Sequence, residues 1–361
     1  MAKKPKKKLP KPLHAPLAAA IRLAVSLPLA LGPTLAGDAA SRAGRFYASL
    51  PFNRKRLARA LDNLAIAMPS RPDHERREIA LGSYQHLFRL GAEFAFTPRL
   101  INHDGWVNHL RLDHAAPAVR ALVSDRPCIL ITGHVGNWEL IGGTIGMLGF
   151  PMHAVYRPMD LEPFDRWMRD SRARMGLRLV SKFGAVHDLP DALRAGFPIG
   201  LVADQNGGDR GVFVPFFGRL TSTYKSIGLL ALQFDATMVC GFARRGTPRP
   251  GTPAHAGLGY AVEVVDVFGP EDYRAQPDPL FYLTARYRRA MERMILMAPE
   301  QYLWMHRIWR SRPAHERMDK PFPDALKDKL ASLPWMTPAG LDAVIDRSER
   351  DRRELAAAPA R

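Results

Sequence analysis

From residue 128 onward, short apolar runs alternate with amphipathic segments, and this alternation constrains the fold more than any other feature of the chain. Runs at 128–131, 152–156, 177–180, 199–203, 238–242 and 260–267 read as strands. Segments at 162–175, 187–195, 224–234 and 280–297 carry helical periodicity between them. Strands and helices in such alternation build an α/β sheet covered by helices. Sheets of this kind place their chemistry beyond the carboxyl ends of the strands, so the polar residues there are the first candidates.

The strand end at 128–140 reads C-I-L-I-T-G-H-V-G-N-W-E-L, which is a buried strand, a turn and the start of a helix. His134 and Glu139 stand five residues apart. Within one helix they would be separated by about 500°, or roughly 140° around the axis. They approach more readily with His134 in the turn and Glu139 in the helix that follows. A carboxylate beside a histidine fixes its tautomer and stabilises the imidazolium formed when the ring takes a proton. Arg157 and the run Asp204, Gln205 and Asn206 follow two further strands and are expected on the same sheet edge. A lone histidine after a strand is commonly structural, and it is the alignment of several polar strand ends that favours function. The motif has no serine or cysteine nucleophile, so its natural use is to deprotonate a hydroxyl brought by a substrate.

Other machinery is excluded by pattern. The chain has no G-x-S-x-G elbow, no phosphate-binding P-loop and no H-E-x-x-H pair. Residues 204–209 imitate the start of a calcium loop, but the twelfth position is Pro215 instead of glutamate. His103, His109 and His114 with Asp104 and Asp113 have no zinc spacing, and no metal is expected. Cys128 and Cys240 lie in strand-like runs and are expected to stay reduced.

The N-terminal third has a different character. Net charge is +17, and six lysines fall in the first twelve residues, with a second basic group at Arg54, Lys55, Arg56 and Arg59. Such clusters suit phosphate on nucleic acid or on an anionic membrane. Residues 17–36 are 20 mostly apolar positions, about the length that spans a bilayer, interrupted by Arg22, Pro28 and Pro33. An uncleaved anchor is favoured over a signal peptide, with a kinked interfacial helix as the other option. Amphipathic helices are expected at 54–68 and 74–96. The expected organisation is a basic tail at 1–12, an anchor at 13–37, a helical membrane-associating region at 38–125, an α/β core at 126–313 and a charged tail at 314–361, frayed from 355.

The motifs resemble a known family. G-H-V-G-N-W-E-L has the H-x4-E form of the glycerolipid acyltransferase signature. V-Y-R-P at 155–158, A-D-Q-N at 203–206, F-V-P-F-F-G at 213–218 and Q-Y-L-W-M-H-R at 301–307 are similar to the late lipid A acyltransferases, the lauroyl and myristoyl transferases. N-L-A-I-A-M-P at 63–69 resembles that branch's N-terminal motif, with Met68 where phenylalanine is usual. The resemblance implies a glycerolipid-acyltransferase-like mixed sheet and an enzyme on the cytoplasmic face of the cell inner membrane. It would move an acyl chain from acyl carrier protein or coenzyme A to a hydroxyl of a membrane glycolipid, a lipid A precursor above all, without cofactor. By the same resemblance His134 is the general base, Glu139 its partner, and Arg157 a contact for acceptor phosphate or oxyanion. Asp204, Gln205 and Asn206 would shape the site, and Phe213, Phe216 and Phe217 are candidates for an acyl channel, or else plain core. The basic clusters would then face anionic lipid, and no nucleic acid is expected. Rival readings are another acceptor, a phosphatidylinositol mannoside or an aminolipid, and a non-catalytic basic protein that binds membranes or nucleic acid.

Overall fold

The computed structural model describes residues 10–246 and 258–357. The five lysines of residues 1–8 lie outside them, so most of the basic tail is known from sequence alone. Nine strands are described: β1 (Leu110–Asp113), β2 (Cys128–Thr132), β3 (Met152–Tyr156), β4 (Leu177–Ser181), β5 (Ile199–Val202), β6 (Val212–Phe216), β7 (Arg219–Thr223), β8 (Thr237–Arg245) and β9 (Tyr260–Phe268). Seven form one sheet in the order β1-β9-β8-β2-β5-β3-β4. Its pairs are parallel except β8 with β9, so the sheet is mixed, as anticipated.

The central strand β2 is buried along its whole length. Alternate side chains on a strand point to opposite faces, and the two faces are covered by different helices. Ile129 and Ile131 join a core containing Leu283, Met291, Met294 and Ile295 of the helix Pro279–Met297. Cys128 and Leu130 face the other way, onto Ala118, Ala121 and Ile145 of the helices Ala116–Val123 and Trp138–Met147. Both cysteines are buried and unbridged, and burial pushes the Cys128 thiol up to about 12.

Three expectations need correction. The apolar segment at 17–36 is not one span: helices His14–Ala30 and Gly32–Ser49 meet at 119°, the first ending in a 3-10 turn that contains Pro28 and the second beginning beside Pro33. Among the described residues no single helix is long and apolar enough to cross a membrane, although this bent pair meets length and composition criteria together. The region 38–125 is not wholly helical, because Leu110–Asp113 pairs in parallel with β9 and forms the sheet edge. The segment after 313 is not a loose tail either. Helices Ala314–Arg317, Asp324–Ala331 and Pro338–Ala357 pack back onto the core. Buried Asp351 accepts from Arg219 at 2.7 and 2.9 Å and from Arg312 at 2.6 Å, which ties the last helix to the β6–β7 hairpin. That charge looked like a solvated tail in one dimension because its arginine partners lie far away in sequence.

Candidate active site

The site is built where β2 and β5 end side by side. Thr132 pairs with Val202, and the Ala203 amide still donates to the Thr132 carbonyl at 2.8 Å. Each chain then runs two residues on, to His134 and to Asp204. Their turns are tightly held. The Leu303 amide donates to the His134 carbonyl at 3.1 Å, Gly136 to Gln301 at 3.0 Å, and Asn137 to Ala243 at 2.8 Å. Gly136 takes φ +58°, and a Cβ there would meet the Ala243 carbonyl oxygen at 2.1 Å, so only glycine fits. Asn137 caps the following helix by accepting from the Leu140 amide at 3.0 Å. Burial and the nearby Arg245 hold His86 down to about 3, and its neutral ring lies 3.0 Å from the Gly136 carbonyl through Nε2, which must carry the proton.

His134 Nδ1 lies 2.7 Å from Asp204 Oδ1. Asp204 is buried and cannot be solvated, yet burial is outweighed by the charge and hydrogen bond of His134, with help from His306 and Arg288, and its carboxyl falls to about 2. Burial likewise opposes the charged form of His134, but Asp204, and then Glu139, more than compensate, so the imidazole is more basic than usual. The pairing makes Nδ1 the protonated nitrogen and leaves Nε2 as the basic one. Trp138 packs edge-on against the ring at 4.9 Å, and His306 lies 5.0 Å away on the other arm of the site. Burial and the charge of His134 lower His306, so it sits beside the pair as a neutral ring.

Glu139 does not hydrogen-bond His134. Its carboxylate is gripped by Arg172, through Nη2 at 2.6 Å and Nε at 2.8 Å. The expected His–Glu contact is therefore replaced by His134–Asp204, because the helix start at Trp138 turns Glu139 toward the neighbouring helix Glu162–Ala173. Glu139 still faces the same cavity as His134 and raises its proton affinity through space.

That cavity has a volume of about 830 Å³. Its lining combines the polar side chains of Arg157, Arg172, Lys182, Gln205 and Tyr224 with His134, and an apolar set that includes Ala118, Leu122, Ile145, Leu148, Met152 and Ala154. Arg157 and Gln205 thus line the same cavity as His134. Asn206 does not line the cavity and instead pairs with Ser311, accepting from its amide at 3.2 Å and donating to its hydroxyl at 3.1 Å. The phenylalanine channel also needs correction. Phe213, Phe216 and Phe217 do not line the cavity. Phe217 and Gly218 form a two-residue hairpin turn with φ of 51° and 70°, and Phe216 is buried against Trp309. Sequence reasoning missed Arg172, Lys182 and His306. Arg172 had a signal, being on the basic face of an amphipathic helix, but that face gave no hint of its partner. Among the described residues no three histidine, cysteine or carboxylate side chains are arranged to hold a metal ion.

A histidine held by a carboxylate and lining a largely apolar cavity that also carries arginine and lysine side chains suits transfer of an acyl chain to a hydroxyl. The sequence profile for bacterial lipid A biosynthesis acyltransferases matches residues 5–311. The chain belongs to that family. It is 26% identical over 273 residues to the lipid A biosynthesis lauroyltransferase of Escherichia coli K12, covering 73% of this chain and 82% of that one. To the lipid A biosynthesis palmitoleoyltransferase of the same strain it is 24% identical, covering 74% and 82%. The same figures hold for a lipid A biosynthesis acyltransferase of Shigella flexneri. This protein is accordingly an acyltransferase, and the profile ends just before the C-terminal helices that close over the β6–β7 hairpin.

Proposed function

We propose that this acyltransferase esterifies a hydroxyl of a lipid A precursor with a fatty acyl chain delivered as a thioester of acyl carrier protein or coenzyme A. The observation that carries the mechanism is the 2.7 Å contact between His134 Nδ1 and Asp204, in a ring that lines the cavity. His134 Nε2 takes the proton of the acceptor hydroxyl as its oxygen attacks the thioester carbonyl. The imidazolium that forms is balanced by Asp204. The tetrahedral intermediate then expels the thiolate, which recovers that proton from Nε2, leaving ester and free thiol. A positioned base of this kind supplies about 10²- to 10⁴-fold.

The cations in the lining, Arg157, Arg172 and Lys182, suit both the developing oxyanion and phosphate on the acceptor. Glu139 keeps Arg172 fixed and adds negative potential at the base. The apolar part of the lining suits the acyl chain, each buried methylene contributing about 0.8 kcal/mol. The bent N-terminal helices expose Leu23, Leu27, Leu31, Leu35 and Phe46, a surface suited to the cytoplasmic face of the inner membrane. The direct test is purified protein with acyl-thioester and lipid A precursor, read by mass spectrometry. A gain of one acyl group in the wild type and none with His134→Ala is expected. Acylation by the His134→Ala protein at the wild-type rate would remove the base from the mechanism.

A further inference from the structure

Next to Asp204, among residues that do not line the cavity, lies a polar cluster that the transfer step does not itself use. Arg288, from the helix Pro279–Met297, is fully buried. Its Nη1 donates to the carbonyl of Ala203, the residue immediately before Asp204, at 3.2 Å. Its guanidinium stacks on Phe216 at 4.0 Å. Nε and Nη2 are buried without a direct hydrogen bond, as are Oδ2 of Asp204 and the hydroxyl of Tyr302. A guanidinium enclosed in this way is tolerated only near compensating negative charge. Three buried donors without direct partners and one such carboxylate oxygen therefore lie within electrostatic reach of one another, in a place that water reaches poorly.

Resting on the catalytic reading above, we propose that Arg288 is a positioning residue, which with the Tyr302 hydroxyl holds Asp204 ionised and aimed at His134. The guanidinium anchors the backbone of the Asp204 turn through Ala203 and supplies the positive potential that keeps Oδ2 charged. Burial alone would favour a protonated Asp204, and the Arg288 charge is among the opposing influences. Tyr302 is pushed well up, first by burial and then by the Asp204 anion, so it remains a donor throughout. Every charged or titratable group facing the pair enters this balance. Glu139 comes from the β2 side, Tyr302 and His306 from the segment that pairs with Val135, Arg288 from the long helix, and Arg59 acts on His306.

The test is a pH profile, since a purely structural arginine would lower activity equally at all pH values. Arg288→Gln removes a positive charge near both members of the pair, so both hold their protons more tightly. The acid limb of kcat/KM should move to higher pH, by about one unit, with roughly tenfold lost activity below it and partial recovery above. Arg288→Lys, which keeps the charge, should leave the limb in place. Should Arg288→Gln fold poorly, Tyr302→Phe removes only one oxygen and should move the limb in the same direction by less. Diethylpyrocarbonate labelling of His134 across pH, read by peptide mass spectrometry, follows the same titration without turnover and so separates this proposal from the acyl-transfer reading. An unmoved limb and unmoved labelling profile in both Arg288→Gln and Tyr302→Phe would overturn it. Equal shifts in Arg288→Lys and Arg288→Gln would also overturn it.

Discussion

Arg172 grips the Glu139 carboxylate with two hydrogen bonds of 2.6 and 2.8 Å, so the acidic residue of the H-x4-E motif is engaged by a cation instead of by the histidine. The anion in contact with His134 is Asp204, seventy residues further along the chain. Two variants separate these roles. Asp204→Asn should lower kcat by about 10²-fold with little change in KM, because it removes the counter-charge of the imidazolium. Glu139→Gln, acting through space and through Arg172, should cost less in kcat, about tenfold. A larger kcat loss in Glu139→Gln than in Asp204→Asn, measured under saturating substrates, would return the partnership to Glu139.

The same contact sets the pH dependence. Asp204 raises the proton affinity of His134, so the neutral base is formed only above the ordinary histidine value. Activity should therefore rise with pH along a limb centred above about 6.5. Asp204→Asn should move that limb down even as it lowers the plateau, which a kcat/KM profile reports directly. Stability follows the opposite signs of the two shifts. The raised His134 stabilises the folded state fully below about 6.5, and that contribution is lost as pH rises through its folded value. The depressed Asp204 contributes above its ordinary value, and that is lost as pH falls toward about 2. A His134 limb centred below the ordinary histidine value would contradict the pairing.

Much of this architecture was legible in the sequence. The central strands read correctly because β2, β5 and β8 are short apolar runs with turn residues at their ends. That His134, Arg157 and Asp204 fall on one edge of the sheet was also legible, because each follows such a run closely; the structure pairs His134 with Asp204 and puts His134 and Arg157 in the lining of one cavity. Which carboxylate meets His134 was not legible, since it depends on β5 lying beside β2, a matter of strand order instead of local pattern. β1 escaped notice because four residues, Leu110–Asp113, with only Leu110 buried, carry too little alternation to mark a strand. The phenylalanines of 213–217 misled for a physical reason: apolar residues that fill a core and apolar residues that line a channel look alike until a cavity exists to tell them apart.

Gly136 gives a sharper test of how the turn is held. With φ +58° and the Ala243 carbonyl 2.1 Å from where a Cβ would sit, Gly136→Ala must displace β8 or unwind the turn. A loss of about 2–4 kcal/mol is expected, combining the left-handed backbone and the clash. Thermal unfolding should show it, and residual activity should fall further than stability because His134 is two residues away. Wild-type melting temperature in Gly136→Ala would show that the turn adapts.

Membrane association can be probed without truncating the chain. Leu23 and Phe46 are 66% and 67% exposed, so replacing both with aspartate should not disturb the core. Sedimentation with anionic vesicles should show weaker binding of Leu23→Asp/Phe46→Asp, while assays on substrate dispersed in detergent should change little. Undiminished vesicle binding would assign attachment to other surfaces, the basic face of the helix Arg54–Ala67 first among them.

Acyl selectivity should respond to the apolar lining of the cavity and not to the phenylalanine hairpin. Ala118 lines the apolar interior from the helix Ala116–Val123, where added bulk can enter the cavity. Ala118→Leu should shift transfer toward shorter chains. Each methylene no longer accommodated forfeits about 0.8 kcal/mol, close to a fourfold loss of preference per carbon. Phe213→Leu, which lies outside the cavity lining, should leave the chain-length profile unchanged whatever it does to stability. Competition between thioesters of graded length, scored by mass spectrometry of the acylated product, distinguishes the two. A profile altered by Phe213→Leu and untouched by Ala118→Leu would move the acyl chain out of this cavity and toward the hairpin.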